Sequence, residues 1–386
     1  MTDANPDLDT DALLRLVHAG GASAPRRALL AGGTPPARVL DAGAATWRAA
    51  GLDTRQIAAL QTPAEAVDAS RRWLDAGPGR HLIGWHDADY PALLRRIANP
   101  PLALFVAGDP TLLWHPSVAV VGSRAPTAGG RDNAAAFSRR FVASGFAVTS
   151  GLASGIDTAA HTAALAAGGA TLAVLGSGID QPYPRANTEL HARIAAAGAV
   201  VSEYPPGTDA RKEHFPSRNR IIAGLALGTL VVEAAHRSGA LITARLAADA
   251  GREVFALPGS IHNPMARGCH RLLRDGAMLV ETPDEVVSAL APVAADLAAA
   301  LRRRLDAPIQ EVRTRGNVPS PASVAPDFGA DPDYHRLWTA LGHDPTGMDE
   351  LVERSGLTVA GASAMLLSME LDGRVEAAHG RYSRKS

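Results

Sequence analysis

The sequence predicts an α/β protein: a doubly wound, mainly parallel sheet, preceded by a helical domain and followed by a winged-helix domain. Three observations carry the central part. From Val118 onward the apolar runs lack polar alternation, each ends in a Gly-rich turn, and Ala-rich amphipathic stretches separate them. Strands that are apolar at every position are buried on both faces, as parallel strands covered by helices are. The runs are "SVAVVGSR", "FAVTSGLASG", "TLAVLGSG", "AVVSEYP", "TLVVEA" and "EVFALPG", with "AMLVET" as a last one.

The elements follow in order. Residues 1–85 read as short helices punctuated by Gly and Pro, among them "DALLRLVHAGG", "APRRALLAGG", "TRQIAAL" and "AEAVDASRRWLDAG". Residues 86–290 hold the sheet. Residues 291–333 shift to Ala, Pro and Arg without usable periodicity, ending "GNVPSPASVAPDFGADP", which is linker composition. Residues 334–386 give three helices and a short basic hairpin, the size of a winged helix.

Composition narrows the function classes. The chain has 386 residues, 46% hydrophobic and 20% charged, with a formal net charge of -1, so any anionic partner must be met by a local patch. No apolar run approaches the roughly 20 residues of a membrane span. The opening "MTDANPDLDTDALL" is acidic and lacks the basic-then-apolar order of an export signal, so a cytoplasmic location is expected. One cysteine, Cys269, rules out an internal disulfide or a multi-cysteine metal site.

In open α/β sheets, ligands sit at the carboxyl ends of strands, and the polar clusters of this chain fall there. "GSRAPTAGG" offers Gly122 for close backbone approach, Ser123 as a donor, and Arg124 for a bidentate phosphate pair or for an acid or carbonyl nearby. In "SGLASGIDTAAH", Ser150, Gly151 and Gly155 can form an anion nest. Asp157 and His161 stand one helical turn apart, either as a pair for acid–base work or as a structural bond at the helix start. "LGSGID" places Gly176 and Gly178 after a strand but lacks the third glycine of a dinucleotide fingerprint, so no nicotinamide cofactor is expected.

The densest cluster is "RKEHFPSRNR", residues 211–220. Lys212 can hold a phosphate while Phe215 stacks on a base, Arg218 and Arg220 extend a cationic track, and Asn219 can reach base or sugar. The alternative is a solvated loop with Phe215 turned into the core. Glu233, Arg237, Ser238 and Gly239 form a further strand-to-helix turn, either a phosphate seat or simple turn chemistry.

The ordered set "VAVVGSR", "TSGLASGIDTAAH", "LAVLGSGIDQPYP", "SEYPPG", "FPSRNRIIAGL", "VVEAAHRSGALITARLAADAGREVFALPG" and "GAMLV" closely resembles the DNA-processing protein A (DprA/Smf) family. The resemblance implies an extended Rossmann-like domain that binds single-stranded DNA, forms homodimers and hands the strand to the RecA recombinase in natural transformation. It also implies an N-terminal sterile-alpha-motif-like module and a C-terminal winged helix. By position, the family's strand-binding arginine falls on Arg124, its lysine and aromatic pair on Lys212 and Phe215, and its Arg-Asn-Arg stretch on Arg218, Asn219 and Arg220. Its dimer surface falls between Gly268 and Val280. No catalytic residue, metal or cofactor is implied. Two other classes compete. A nucleotide N-glycoside hydrolase on a related sheet would need a catalytic acid after "HRSGALITARLA", and no Glu follows there until after Gly251. A double-stranded DNA regulator would have to read bases with "SAMLLSMELDGR", which is poor in base-reading side chains.

Overall fold

The computed structural model describes residues 6–62, 65–305, 332–341, 345–378 and 381–385. They belong to two compact units, Met1–Ile309 and Gln310–Ser386.

The first unit opens with α1 (Pro6–His18), α2 (Ser23–Leu29), α3 (Pro36–Asp41), α4 (Gly43–Ala49), α5 (Thr54–Gln61) and α6 (Glu65–Asp75). Asp53 and Gln56 close a reciprocal cap at the start of α5, each side chain accepting from the other's backbone N–H. Helix α1 buries two sides. Leu13 and Leu16 meet Leu30, Val39 and Trp47, whereas Leu14 joins a cluster with Phe105 and Val200. The last two residues belong to the sheet, so these helices share its core. The domain break expected at residue 85 corresponds to no break in packing.

Two strands that the apolar pattern did not reveal precede Val118. They are β1 (Arg80–Gly84) and, after the single turn α7 (Ala92–Arg95), β2 (Ala103–Gly108). The alternating units follow: β3 (Ser117–Val121), α8 (Ala128–Ala143), β4 (Ala147–Ser150), α9 (Ile156–Ala166), β5 (Thr171–Val174), α10 (Thr188–Ala197) and β6 (Ala199–Ser202). Then come α11 (His214–Leu225), β7 (Gly228–Val231), α12 (Gly239–Asp249), β8 (Glu253–Ala256), α13 (Arg267–Arg274), β9 (Met278–Leu279) and α14 (Pro283–Leu305).

The nine strands lie in the order β1-β2-β6-β5-β4-β3-β7-β8-β9. Pairs β1–β2 and β2–β6 are antiparallel and the remaining pairs are parallel. From β3 the chain winds outward to β6, then returns through α11 to β7 and winds the other way. The switch point therefore lies between β3 and β7, where loops diverge and leave a crevice. Strand β3 shows why the sheet carries no polar alternation. Val118 and Val120 enter one cluster and Ala119 and Val121 the other, on opposite faces.

Residues 291–305 of the expected linker are helical. Helix α14 runs through to Leu305 despite Pro292, because Val286 and Leu290 are buried in the cluster on one sheet face and Ala294 and Leu297 pack against it. Burial of that stripe outweighs the local cost of a proline and of weak periodicity. Residues 306–331 of the expected linker lie outside the described residues.

The second unit contains α15 (Pro332–Ala340), β10 (Thr346–Gly347), α16 (Met348–Ser355), α17 (Val359–Leu371), β11 (Val375–Ala378) and β12 (Arg381–Arg384), its sheet ordered β10-β12-β11. Leu337, Leu351, Leu366 and Val375 share its core, and the Arg384 guanidinium lies 4.6 Å from the Trp338 ring centroid. This is the expected winged helix: helices followed by a basic hairpin.

Candidate nucleic-acid interface

A cavity of about 710 Å³ opens at the switch point. Three loops bring the expected residues to it, and the segments after β4 and β5 add Ala153, Asp157 and Tyr183. The turn after β3 supplies Gly122, Ser123 and Arg124, the entry to α11 supplies Lys212, Phe215, Arg218 and Asn219, and the turn before α12 supplies Ser238 and Gly239. Nine of the thirteen residues expected from the sequence thus meet at one place.

Arg124 and Lys212 are exposed on its walls. Phe215 is neither solvated nor core: its ring is half-buried, with the Arg124 guanidinium 5.6 Å from its centroid and the Tyr183 ring at 5.3 Å and 44°. The cation and the two rings together make an apolar plate edged by positive charge, the surface that a base and its phosphate require. Tyr183, 48% exposed, is a second aromatic that residue-level reading passed over. Its position in "GSGIDQPYP", beyond the carboxyl end of β5, was the available signal.

Arg218 forms the floor. It is 4% exposed, its Nη1 donates to the Val174 carbonyl at 2.9 Å, and burial lowers its pKa to about 10, with the Asp157 charge opposing that shift. It remains charged at neutral pH, so the cavity sits over a fixed cation. Asp157 is itself buried and its pKa is raised, chiefly by desolvation and against the pull of Arg218.

The four other expected residues do not line the cavity. Ser150 is fully buried and donates its hydroxyl to the Val120 carbonyl at 2.6 Å. The Gly151 N–H donates to Asp157 Oδ2 at 3.1 Å, as does that of Ala153 at 3.3 Å. Two of the loop's N–H groups therefore serve its own carboxylate. Gly155 has φ +83°, and a Cβ there would stand 2.4 Å from the Ser123 carbonyl oxygen, so its glycine lets two loops touch. Arg220 faces away from the cavity and forms a bidentate pair with Glu203, at 2.7 and 3.0 Å.

Asp157 and His161 do not bond each other. Asp157 secures the helix start, whereas His161 is fully buried with Nδ1 2.7 Å from the Thr171 hydroxyl, and burial drives its pKa down to about 3. Glu233 is also structural. Its carboxylate accepts from the Thr127 N–H at 2.9 Å, the Thr127 hydroxyl at 2.6 Å and Asn263 Nδ2 at 3.3 Å, tying the β7 turn to the start of α8. The Ser238 hydroxyl accepts from the Ala240 N–H at 3.3 Å and caps α12, and the Gly239 carbonyl accepts from Asn219 Nδ2 at 3.5 Å. Arg237 is exposed but lies outside the cavity lining.

The family model described as "DNA recombination-mediator protein A" matches residues 81–291, and a "DprA winged helix domain" model matches residues 319–381. The chain belongs to the DNA-processing protein A family. Protein Smf of Escherichia coli (strain K12) is 40% identical over 340 residues, covering 86% of this chain and 85% of its own length. The DNA processing protein DprA of Streptococcus pneumoniae is 48% identical over 202 residues, covering 52% of this chain and 71% of its own. An X-ray structure of DNA processing protein A from Streptococcus pneumoniae aligns with a TM-score of 0.64 at 36% identity, over 72% of this chain and 97% of that one. The DprA model that ends at residue 291 spans all three loops of the cavity, so the cavity belongs to the part the family shares.

Proposed function

We propose that this DNA-processing protein binds single-stranded DNA in the switch-point cavity without catalysing a reaction on it. The observation that carries the reading is the convergence of Arg124, Lys212 and Phe215 from two distant loops onto one surface. Arg124 and Lys212 neutralise phosphates, Phe215 and Tyr183 stack on bases, and buried Arg218 adds a positive field from below. Each stacked base contributes about 1–3 kcal/mol regardless of its identity, so sequence preference is slight. Asp157, the carboxylate in the cavity lining, and Glu233 in the turn after β7 are already engaged by backbone and side-chain donors, which favours binding over glycoside hydrolysis.

The same proposal includes a homodimer and transfer of the strand to a RecA-type recombinase in the cytoplasm, as in natural transformation. Two features support the dimer. Strand β9 stands at the sheet edge with Met278 and Leu279 43% and 49% exposed, and Ile242 on neighbouring α12 is 42% exposed. Ile242 also lines the DNA cavity, so pairing through this edge would bring two cavities close and raise affinity by effective concentration. The "recombination-mediator" description of the matching family model supports the transfer role.

Fluorescence anisotropy with labelled oligo-dT tests the binding reading. Arg124→Glu and Lys212→Glu each reverse an exposed charge and are expected to weaken binding at least tenfold, by about 1.4 kcal/mol or more. Unchanged affinity in both variants would remove the cavity from consideration.

A further inference from the structure

A second polar cavity, of about 680 Å³, lies on the other side of the segment that walls the first. Residues 211–220 act as a partition. Lys212, Phe215 and Asn219 face the first cavity, while Arg211, His214, Ser217 and Arg220 face the second. Arg211 precedes α11, whereas His214, Ser217 and Arg220 stand three residues apart on it, close to one helical turn. Its far wall is the loop from His18 to Ser23 together with Arg26, from the N-terminal helices.

This wall is preformed. Gly20 and Gly21 adopt φ +66° and +67°, which turns their carbonyls inward. Gln56 Nε2 donates to the Gly20 and Ala22 carbonyls at 2.7 and 3.1 Å, and Arg26 donates to those of Leu16, Val17, Gly21 and Ala22. The guanidinium of Arg26 is thus held against carbonyls. On the partition side, the Tyr204 and His214 rings are stacked at 4.0 Å and 17°, and the Tyr204 phenol is hydrogen-bonded to Ser217. Arg26, Arg211 and Arg220 face one carboxylate in the cavity, Glu203, which Arg220 pairs. A surplus of positive charge beside a flat ring pair suits a phosphate with an attached base, and the shared partition makes the two cavities neighbours.

We infer that the second cavity is a continuation of the nucleic-acid track, so that a strand leaving the first cavity crosses residues 211–217 and enters between the partition and the N-terminal helices. The inference rests on the first cavity being a single-stranded DNA site, and it gives the N-terminal helices the role of a second wall.

The test compares oligo-dT of about 4 and about 12 nucleotides by anisotropy, a length range that separates one short site from an extended one. The variants are Arg211→Glu, on an exposed side chain, and Ala22→Asp, at the N-cap of α2, where aspartate is favoured and the fold is retained. Both are expected to weaken the longer oligonucleotide about tenfold and the shorter by less than about twofold. Equal losses at both lengths, or none at either, overturn the inference, as does a wild-type protein that gains no affinity with length. A wild-type protein that binds neither oligonucleotide overturns the first-cavity reading, and this one with it.

Discussion

Gly151 and Arg218 are fitted to each other. A Cβ on Gly151 would stand 1.6 Å from Arg218 Nη1 and 2.5 Å from Cζ, so no side chain is compatible with the buried guanidinium where it lies. Gly151→Ala is therefore expected to lower stability by about 1–3 kcal/mol, the usual cost of overpacking, measured by denaturant midpoint. It should also weaken oligo-dT binding, because Arg218 must leave the cavity floor. Unchanged stability would mean that the guanidinium relocates freely. At this scale the sequence was only partly legible. Arg124, Lys212 and Phe215 were readable because their chemistry is written in their side chains and the strand-end rule gave their location. Ser150, Gly151 and Gly155 obey the same rule yet turn inward, because Asp157 captures two of the loop's N–H groups and Gly155 lets Ser123 approach. Composition does not distinguish a nest that waits for a ligand from one that already holds a carboxylate of its own chain. Arg220 was misplaced for a related reason: two residues on from Arg218 on a helix, it points to a different side, where Glu203 meets it.

Strand β9 is an edge of two residues, and the sheet would gain from a second copy placed against it. With Met278 and Leu279 both exposed, Leu279→Glu adds a charge to the proposed dimer surface without disturbing the core. The expected result is a shift from dimer to monomer by light scattering with oligo-dT affinity reduced, and a variant that stays dimeric would place the interface elsewhere. Among elements, the parallel strands were legible because burial on both faces leaves an unmistakable apolar run. Strands β1 and β2 were not. The run "RHLIG" is short and mixed, and its role is set by antiparallel pairing with "ALFVAG", a long-range contact that local pattern does not encode. Residues 291–305 of helix α14 read as linker in the sequence for the opposite reason: their Ala-rich run has weak periodicity, and the sheet cluster that fixes the helix lies elsewhere in the chain.

At the scale of the whole molecule, a net charge of -1 conceals a strong local field. Arg124, Lys212 and Arg218 gather around one cavity, and Arg26, Arg211 and Arg220 around the next, with the partition of residues 211–220 between them. The N-terminal helices and the sheet share a core, which is why the second cavity has a rigid far wall. The domain plan read from composition put a boundary where the packing is continuous, since Gly and Pro punctuation reports turns and says nothing about which core a helix joins. The central claim is that phosphates are held by cations of the switch-point cavity, and counterion release measures that count directly. The salt dependence of oligo-dT affinity should be steep, and each of Arg124→Gln and Lys212→Gln should reduce the slope of log K against log salt by about 0.7. A flat salt response in the wild type, or slopes unchanged in both variants, would contradict the account.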